Sequence, residues 1–517
     1  MIKILPTQRT SLQRHSSGFR TAAVAAMLTV FPVVLAGCVG SLPAHADTDL
    51  EVANRGDVSV QAEGVFGGKS VNYTASFERF EVPGTNGLPD VSLATFSYVA
   101  EPDAKGPQRP VLFAFNGGPI SPSFWLHIGA LGPQRVSAPV DLSAPASEFE
   151  LIENTTSPLD VADLVFFDPA STGFSRVAEG EDPRAYYSVE ADAAQFVNFV
   201  QAWLKRHGRQ DAPVFILGES YGTMRAAEAA GQMTEAGQPP AGVYLMGQAL
   251  NIIEYSQRRQ NILSYVASLP TLAALAWETD MVDRSGRDFD AFMSDVNAFG
   301  QTEYLLALYQ GSGLDRSEQA KIADKLEGFT GIPADWYLKN HLRISKEQFR
   351  VELLRDSGKV LGRSDGRYLG EDPRGDASSV LKGAYTAGWS EYLSETFGIH
   401  VDEQYALFAE LNGLDDWRWG ASSPFGHFDY SARLDRAFTD NPDFRLAIGN
   451  GYHDTMTTVG AADLLAKQAG WPADRVRLLF YQGGHMAYSI DETAVAFNDD
   501  IRDWITGRGD WTSAASN

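Results

Sequence analysis

Apolar and polar residues alternate at the front of the folded part of this chain. The alternation is clear in Val58-Ser-Val-Gln, in Val71-Asn-Tyr-Thr-Ala-Ser-Phe and in Val91-Ser-Leu-Ala-Thr-Phe-Ser-Tyr-Val. A period of two predicts two or three antiparallel edge strands. The pattern then changes to short, nearly continuous apolar runs: Val111–Phe115, Leu164–Phe167, Val214–Leu217, Gly242–Met246, Arg445–Gly449 and Arg477–Tyr481. Runs of this kind suit strands covered on both faces, as in a parallel sheet. Helical patterns such as Ser188–Arg206 and Thr458–Gly470 separate them. The prediction is an α/β fold with right-handed crossovers. Between about Asn251 and Arg436 the alternation stops. That stretch is mostly helical in pattern, broken at Gly311-Ser-Gly313 and Gly331-Ile-Pro333. It is too long for a loop, and strands resume after it. Residues 251–436 are therefore expected to form a largely helical cap inserted between two parts of one core, 58–250 and 437–510.

The first 57 residues follow another logic. A basic stretch ending at Arg20 precedes an apolar segment, Thr21 to Gly37. This is the layout of an export signal over 1–37. Leu35-Ala-Gly-Cys38 resembles a bacterial lipobox, and Cys38 is the one cysteine of the chain. Lipidation at Cys38 is expected, with 38–57 as a tether. Cleavage after Ala44-His-Ala46, releasing a soluble protein, is the rival. Either route gives an exported protein, periplasmic or anchored to a bacterial membrane as a lipoprotein. One cysteine excludes a disulfide within the monomer. The net charge of -24 argues against nucleic-acid partners. No P-loop occurs, and no dinucleotide fingerprint stands in its required context. The nine histidines show no paired metal spacing. Neither a metal nor a cofactor is expected.

Chemistry concentrates where strands end. Val214–Leu217 runs into Gly218-Glu-Ser-Tyr-Gly222, and a helical pattern follows from Thr223. A G-x-S-x-G between strand and helix is a nucleophile elbow, with Ser220 as the nucleophile. The two glycines are expected to let the chain turn and to leave room around the hydroxyl. A serine needs a base, and the base needs an orienting acid. Strand Arg445–Gly449 leads to Asp454, and strand Arg477–Tyr481 leads to His485. Both lie past the carboxyl ends of strands, where open α/β sheets place their sites. The order Ser220, Asp454, His485 is that of α/β-hydrolases. Asn116-Gly-Gly-Pro119 follows an early strand, so backbone N–H groups of its two glycines, with that of Tyr221, are the candidate oxyanion donors. His127 and His453 are taken as structural. Trp417-Arg-Trp419 and Phe425-Gly-His-Phe428 are taken as packing between cap and core.

Five motifs occur together and in order: Asn116-Gly-Gly-Pro119, Gly129-Ala-Leu-Gly-Pro133, Asp168-Pro-Ala-Ser-Thr-Gly-Phe-Ser175, Gly218-Glu-Ser-Tyr-Gly222 and Gly484-His-Met486. This series resembles the serine carboxypeptidase family over roughly Val111 to Trp504. The resemblance implies an α/β-hydrolase fold with a helical insertion, the triad Ser220, Asp454 and His485, and Gly118 and Tyr221 as oxyanion donors. It also implies that Asn116, Gly117 and Glu219 bind the free carboxylate of a peptide substrate. Glu219 suits that task when protonated, because a neutral acid donates where an anion repels. The family's second glutamate falls at Ala130, its tryptophan at Ala114, and its cysteine and glycine at Ser121 and Ile120. The expected function is a serine-type carboxypeptidase acting through an acyl-enzyme on Ser220. An esterase or acyltransferase with the same triad is the alternative, and a non-catalytic binding protein of the same fold is the third.

Overall fold

The computed structural model describes residues 56–101, 108–284, 286–401, 405–408, 414–420 and 429–508. The export signal, Cys38, the tether up to residue 55 and the Phe425–Phe428 segment lie outside the described residues. Nine main strands follow in chain order: β1 (Val58–Phe66), β2 (Lys69–Val82), β3 (Val91–Ala100), β4 (Val111–Phe115), β5 (Asp163–Phe167), β6 (Val214–Glu219), β7 (Gly242–Met246), β8 (Arg445–Gly451) and β9 (Val476–Tyr481). They lie side by side as β1-β2-β3-β5-β4-β6-β7-β8-β9, and a two-residue strand, Arg176–Val177, adds to β3.

The two hydropathy patterns map onto two halves of this sheet. β1, β2, β3 and β5 pair antiparallel, with Val58 opposite Phe77 and Thr95 opposite Phe167. β1 alternates half-buried with exposed residues, as an edge strand with one wet face should. From β5 onward every pairing is parallel. β4, β5 and β7 are buried at every position, because helices cover both faces. Phe113 and Phe115 of β4 meet Phe196 of α1 (Val189–Arg206) at ring distances of 6.0 and 4.8 Å. Each such ring contributes about 2 kcal/mol through burial. Ser188 starts α1 by accepting the N–H of Ala191.

Strand order reverses at β4. The chain continues from β4 to β5 on one side and then to β6 on the other. A crevice opens at the carboxyl ends of strands where such a reversal occurs. The Asn116-Gly-Gly loop and the Ser220 elbow both leave the sheet there. The elbow leads directly into α2 (Gly222–Glu235).

Between β7 and β8 the chain is mainly helical. Its longer helices are α3 (Ile262–Glu278), α4 (Phe289–Phe299), α5 (Arg316–Thr330) and α6 (Val380–Phe397). α3, α4 and α5 enclose an apolar cluster of their own, around Leu272, Phe292, Val296 and Leu326. α7 (Val459–Gln468) and α8 (Asp491–Thr506) complete the core. Trp504 of α8 is fully buried against Phe215 of β6, with ring centroids 4.9 Å apart.

Candidate active site

Ser220 sits at φ +59°. This left-handed conformation is uncommon for a residue with a side chain, and it persists only where the surroundings enforce it. The enforcing bond is its own N–H, which donates to the carbonyl of Met246 at 2.9 Å. The serine therefore makes the sharp turn itself. The flanking glycines supply space and no left-handed turn, which refines the sequence expectation. A Cβ on Gly218 would stand 2.2 Å from the carbonyl oxygen of Gly222.

Asp454 and His485 come from loops after β8 and β9 and meet directly. Nδ1 of His485 lies 2.7 Å from Oδ2 of Asp454. Asp454 is fully buried, and all its capacity is used. Its Oδ1 accepts the N–H groups of Met456 and Thr457 at 2.7 and 3.1 Å, and its Oδ2 also accepts the Thr457 hydroxyl at 2.5 Å. Charge-assisted bonds of this kind fix a carboxylate and, through it, an imidazole. Burial pulls the proton affinity of His485 down, but the Asp454 charge and hydrogen bond outweigh it and the net shift is upward. The imidazole packs on Gly247, where a Cβ would stand 3.2 Å from Cε1 of His485. Gly247 directly follows the residue that receives the Ser220 N–H. The nucleophile candidate and the Asp454–His485 pair thus border the same two residues, Met246 and Gly247.

The loop after β4 lies on the elbow. A Cβ on Gly117 would fall 2.5 Å from the nitrogen of Tyr221 and 2.7 Å from the carbonyl oxygen of Glu219, so only glycine fits. Gly118 has φ +112° and is exposed, in contrast to its buried neighbours. Among the described residues, the N–H groups of Gly118 and Tyr221 have no partner. Two free donors beside an accessible serine are what a developing oxyanion requires.

Glu219 is buried at 3% exposure. Asn116 Nδ2 donates to its Oε1 at 2.8 Å, and the Tyr488 hydroxyl donates to its Oε2 at 2.6 Å. Burial pushes its carboxyl up to about 7, against the lowering effect of His485, Tyr488 and Asn116. Asn116 is fixed in turn, since its Oδ1 accepts the N–H of Leu126 at 3.0 Å. Arg225 of α2 supports the whole floor. It donates to the Asn116 carbonyl at 2.9 Å and to Asp192 at 2.7 Å, and Asp192 accepts the Tyr221 hydroxyl at 3.0 Å.

The remaining candidates take structural places. The His127 ring stacks on Phe166 at 3.8 Å and its Nε2 meets the Tyr98 hydroxyl at 2.6 Å. Burial lowers its proton affinity well below the ordinary range. His453 accepts the N–H of Gly483 at 3.2 Å and so ties the Asp454 loop to the His485 loop. Trp417 packs on Tyr187 and Tyr221 at 5.8 and 5.1 Å. A cavity of about 810 Å³ lies elsewhere, between α3, α4 and α7, and no triad candidate lines it. Sequence reasoning missed Thr457, Arg225, Asp192 and Tyr488. A clue existed for Thr457, three residues after an Asp in an Asp-x-x-Thr turn. None existed for the others, whose partners are remote in the chain.

Residues 89–251 match the family model described as serine carboxypeptidase. That segment carries the Asn116-Gly-Gly loop, the elbow and α2. Over that segment the chain is similar to the serine carboxypeptidases. It is an enzyme, a serine hydrolase, and the fold is that of an α/β-hydrolase. No curated protein matches it. Among solved structures it is similar to a prohormone-processing carboxypeptidase, Kex1, of Saccharomyces cerevisiae. The identity there is 14%, the match covers 82% of this chain and 93% of that one, and the TM-score is 0.48. A proline iminopeptidase of Mycobacterium smegmatis matches at 14% identity over 83% of this chain and 98% of its own, with TM-score 0.35. A carboxyl esterase of Bacillus coagulans matches at 13% identity over 83% and 98%, with TM-score 0.36.

Proposed function

We propose that this serine hydrolase is a carboxypeptidase that removes C-terminal residues from peptides. Ser220 attacks the scissile carbonyl, and His485 takes the hydroxyl proton and passes it to the leaving amine. Asp454 holds the imidazole in the productive tautomer and stabilises the imidazolium. The N–H groups of Gly118 and Tyr221 receive the oxyanion. An acyl-enzyme forms on Ser220, and water deacylates it with His485 again as base.

The observation that carries the exopeptidase reading is the buried Glu219 carboxyl, one residue before the nucleophile and hydrogen-bonded to Asn116. As a neutral acid it donates to the free carboxylate of a substrate, so peptides with a free C-terminus are preferred. Catalysis requires the proton on Glu219 and a free Nε2 on His485. An arriving carboxylate favours the neutral acid, because its charge repels an ionised Glu219.

The test is steady-state kinetics on one N-blocked dipeptide as free acid, amide and methyl ester, across pH. A carboxypeptidase turns over the free acid with the highest kcat/KM below pH 7, and the advantage fades above it. The second reading, an esterase or acyltransferase, rests on Ala130, which supplies no second acid. Ester turnover without a free-acid preference would establish it. We also place the enzyme outside the cytoplasm, lipidated at Cys38. Incorporation of a labelled fatty acid that Cys38→Ala abolishes tests that placement.

A further inference from the structure

Tyr488 lies three residues after His485, on the short turn Ala487–Ser489, and is fully buried. Its hydroxyl donates to Glu219 Oε2 at 2.6 Å while Asn116 holds Oε1. Each carboxyl oxygen therefore already has one donor from the protein. Once Glu219 is protonated, its own proton is the donor left over, and these two contacts determine where it points. The ring is fixed as firmly as the hydroxyl. It stacks on Phe497 with centroids 5.7 Å apart. Gly129 leaves it room, since a Cβ there would stand 2.6 Å from the Tyr488 ring and 2.8 Å from that of Tyr385. The next residue is Ala130, whose methyl group cannot hydrogen-bond.

We propose that Tyr488 is a specificity-determining positioning residue, which orients the Glu219 carboxyl toward the C-terminal carboxylate of the substrate. This rests on the carboxypeptidase reading above. A second observation points to the same wall. The Tyr385 hydroxyl of α6 is fully buried and has no partner among the described residues. A buried donor without a partner calls for one, and the carboxylate of a bound substrate is of the right chemistry. The charged or titratable groups facing Glu219 are His485 and Asp454 from the two loops, Tyr488 from its turn and Tyr385 from α6.

Tyr488→Phe keeps the ring and removes the hydroxyl. At pH 5.5 KM for the free-acid dipeptide should rise about tenfold, with kcat within twofold and the ester kinetics unchanged. Loss of the hydrogen bond also favours the neutral acid. The pH at which the free-acid preference fades should therefore move upward, by about one unit. Should the variant fail to fold by circular dichroism, Gly129→Ala displaces the same ring and should give the same split between acid and ester. A folded variant that loses acid and ester turnover equally, with no shift in pH, overturns the proposal. A wild-type enzyme without free-acid preference refutes the carboxypeptidase reading itself, which is a separate outcome.

Discussion

Gly247 is the bed of the His485 imidazole. It adopts φ +57°, and a Cβ there would stand 3.2 Å from Cε1 and 3.3 Å from Nδ1 of the ring. A methyl group must displace the imidazole by a few tenths of an ångström. Gly247→Ala should lower kcat about 100-fold, because a small misplacement of a catalytic group is costly. KM should stay within threefold, and circular dichroism should be unchanged. Single-turnover kinetics check this.

Thr457 shares Oδ2 of Asp454 with His485. Thr457→Val removes that donor and keeps the shape. It should cost about tenfold in kcat, as loss of an orienting partner does. Asp454→Asn should cost far more, about 10⁴-fold, through the wrong imidazole tautomer. Equal effects of the two variants on kcat would contradict the arrangement.

Arg225 is fully buried beside Asp192 and carries the Asn116 carbonyl. Arg225→Met leaves the Asp192 carboxyl buried without its cation. The cost should be about 3–5 kcal/mol, read as a lower midpoint in urea unfolding.

Glu219 titrates at about 7 in the folded protein, above the 4.5 of a free glutamate. The folded state then holds more protons than the unfolded state between these values, so stability should fall as pH rises from about 4.5 to 7. Glu219→Gln cannot ionise and should flatten that part of the curve of Tm against pH. It should also free the KM of free-acid peptides from pH dependence across the same window. A Tm curve with the same slope in both proteins would contradict the assignment.

Much of this was legible in the sequence, for physical reasons. Period-two alternation located β1 to β3, but only β1 keeps a wet face along its length, since Thr95 and Ser97 of β3 are buried. Unbroken apolar runs mark strands covered on both sides, and they located β4 to β9. Ser220 was visible because an elbow needs local spacing between strand and helix. Asp454 and His485 were visible because both lie just past consecutive strands. The contacts of Glu219 with Tyr488 and of Arg225 with Asn116 were not visible. They join residues 269 and 109 positions apart, and no local pattern encodes a pairing that only the sheet order creates. The turn at Ser220 was half legible. The glycines drew attention, but the left-handed residue is the serine.

Ser220 as the nucleophile is the central claim. The direct measurement is intact-mass and peptide mapping after treatment with a fluorophosphonate. The account predicts one adduct per chain, on Ser220, formed quickly in the wild type and absent in Ser220→Ala. His485→Ala should slow labelling by at least 100-fold. A folded, wild-type protein that stays unlabelled, or carries the adduct on another residue, would contradict it.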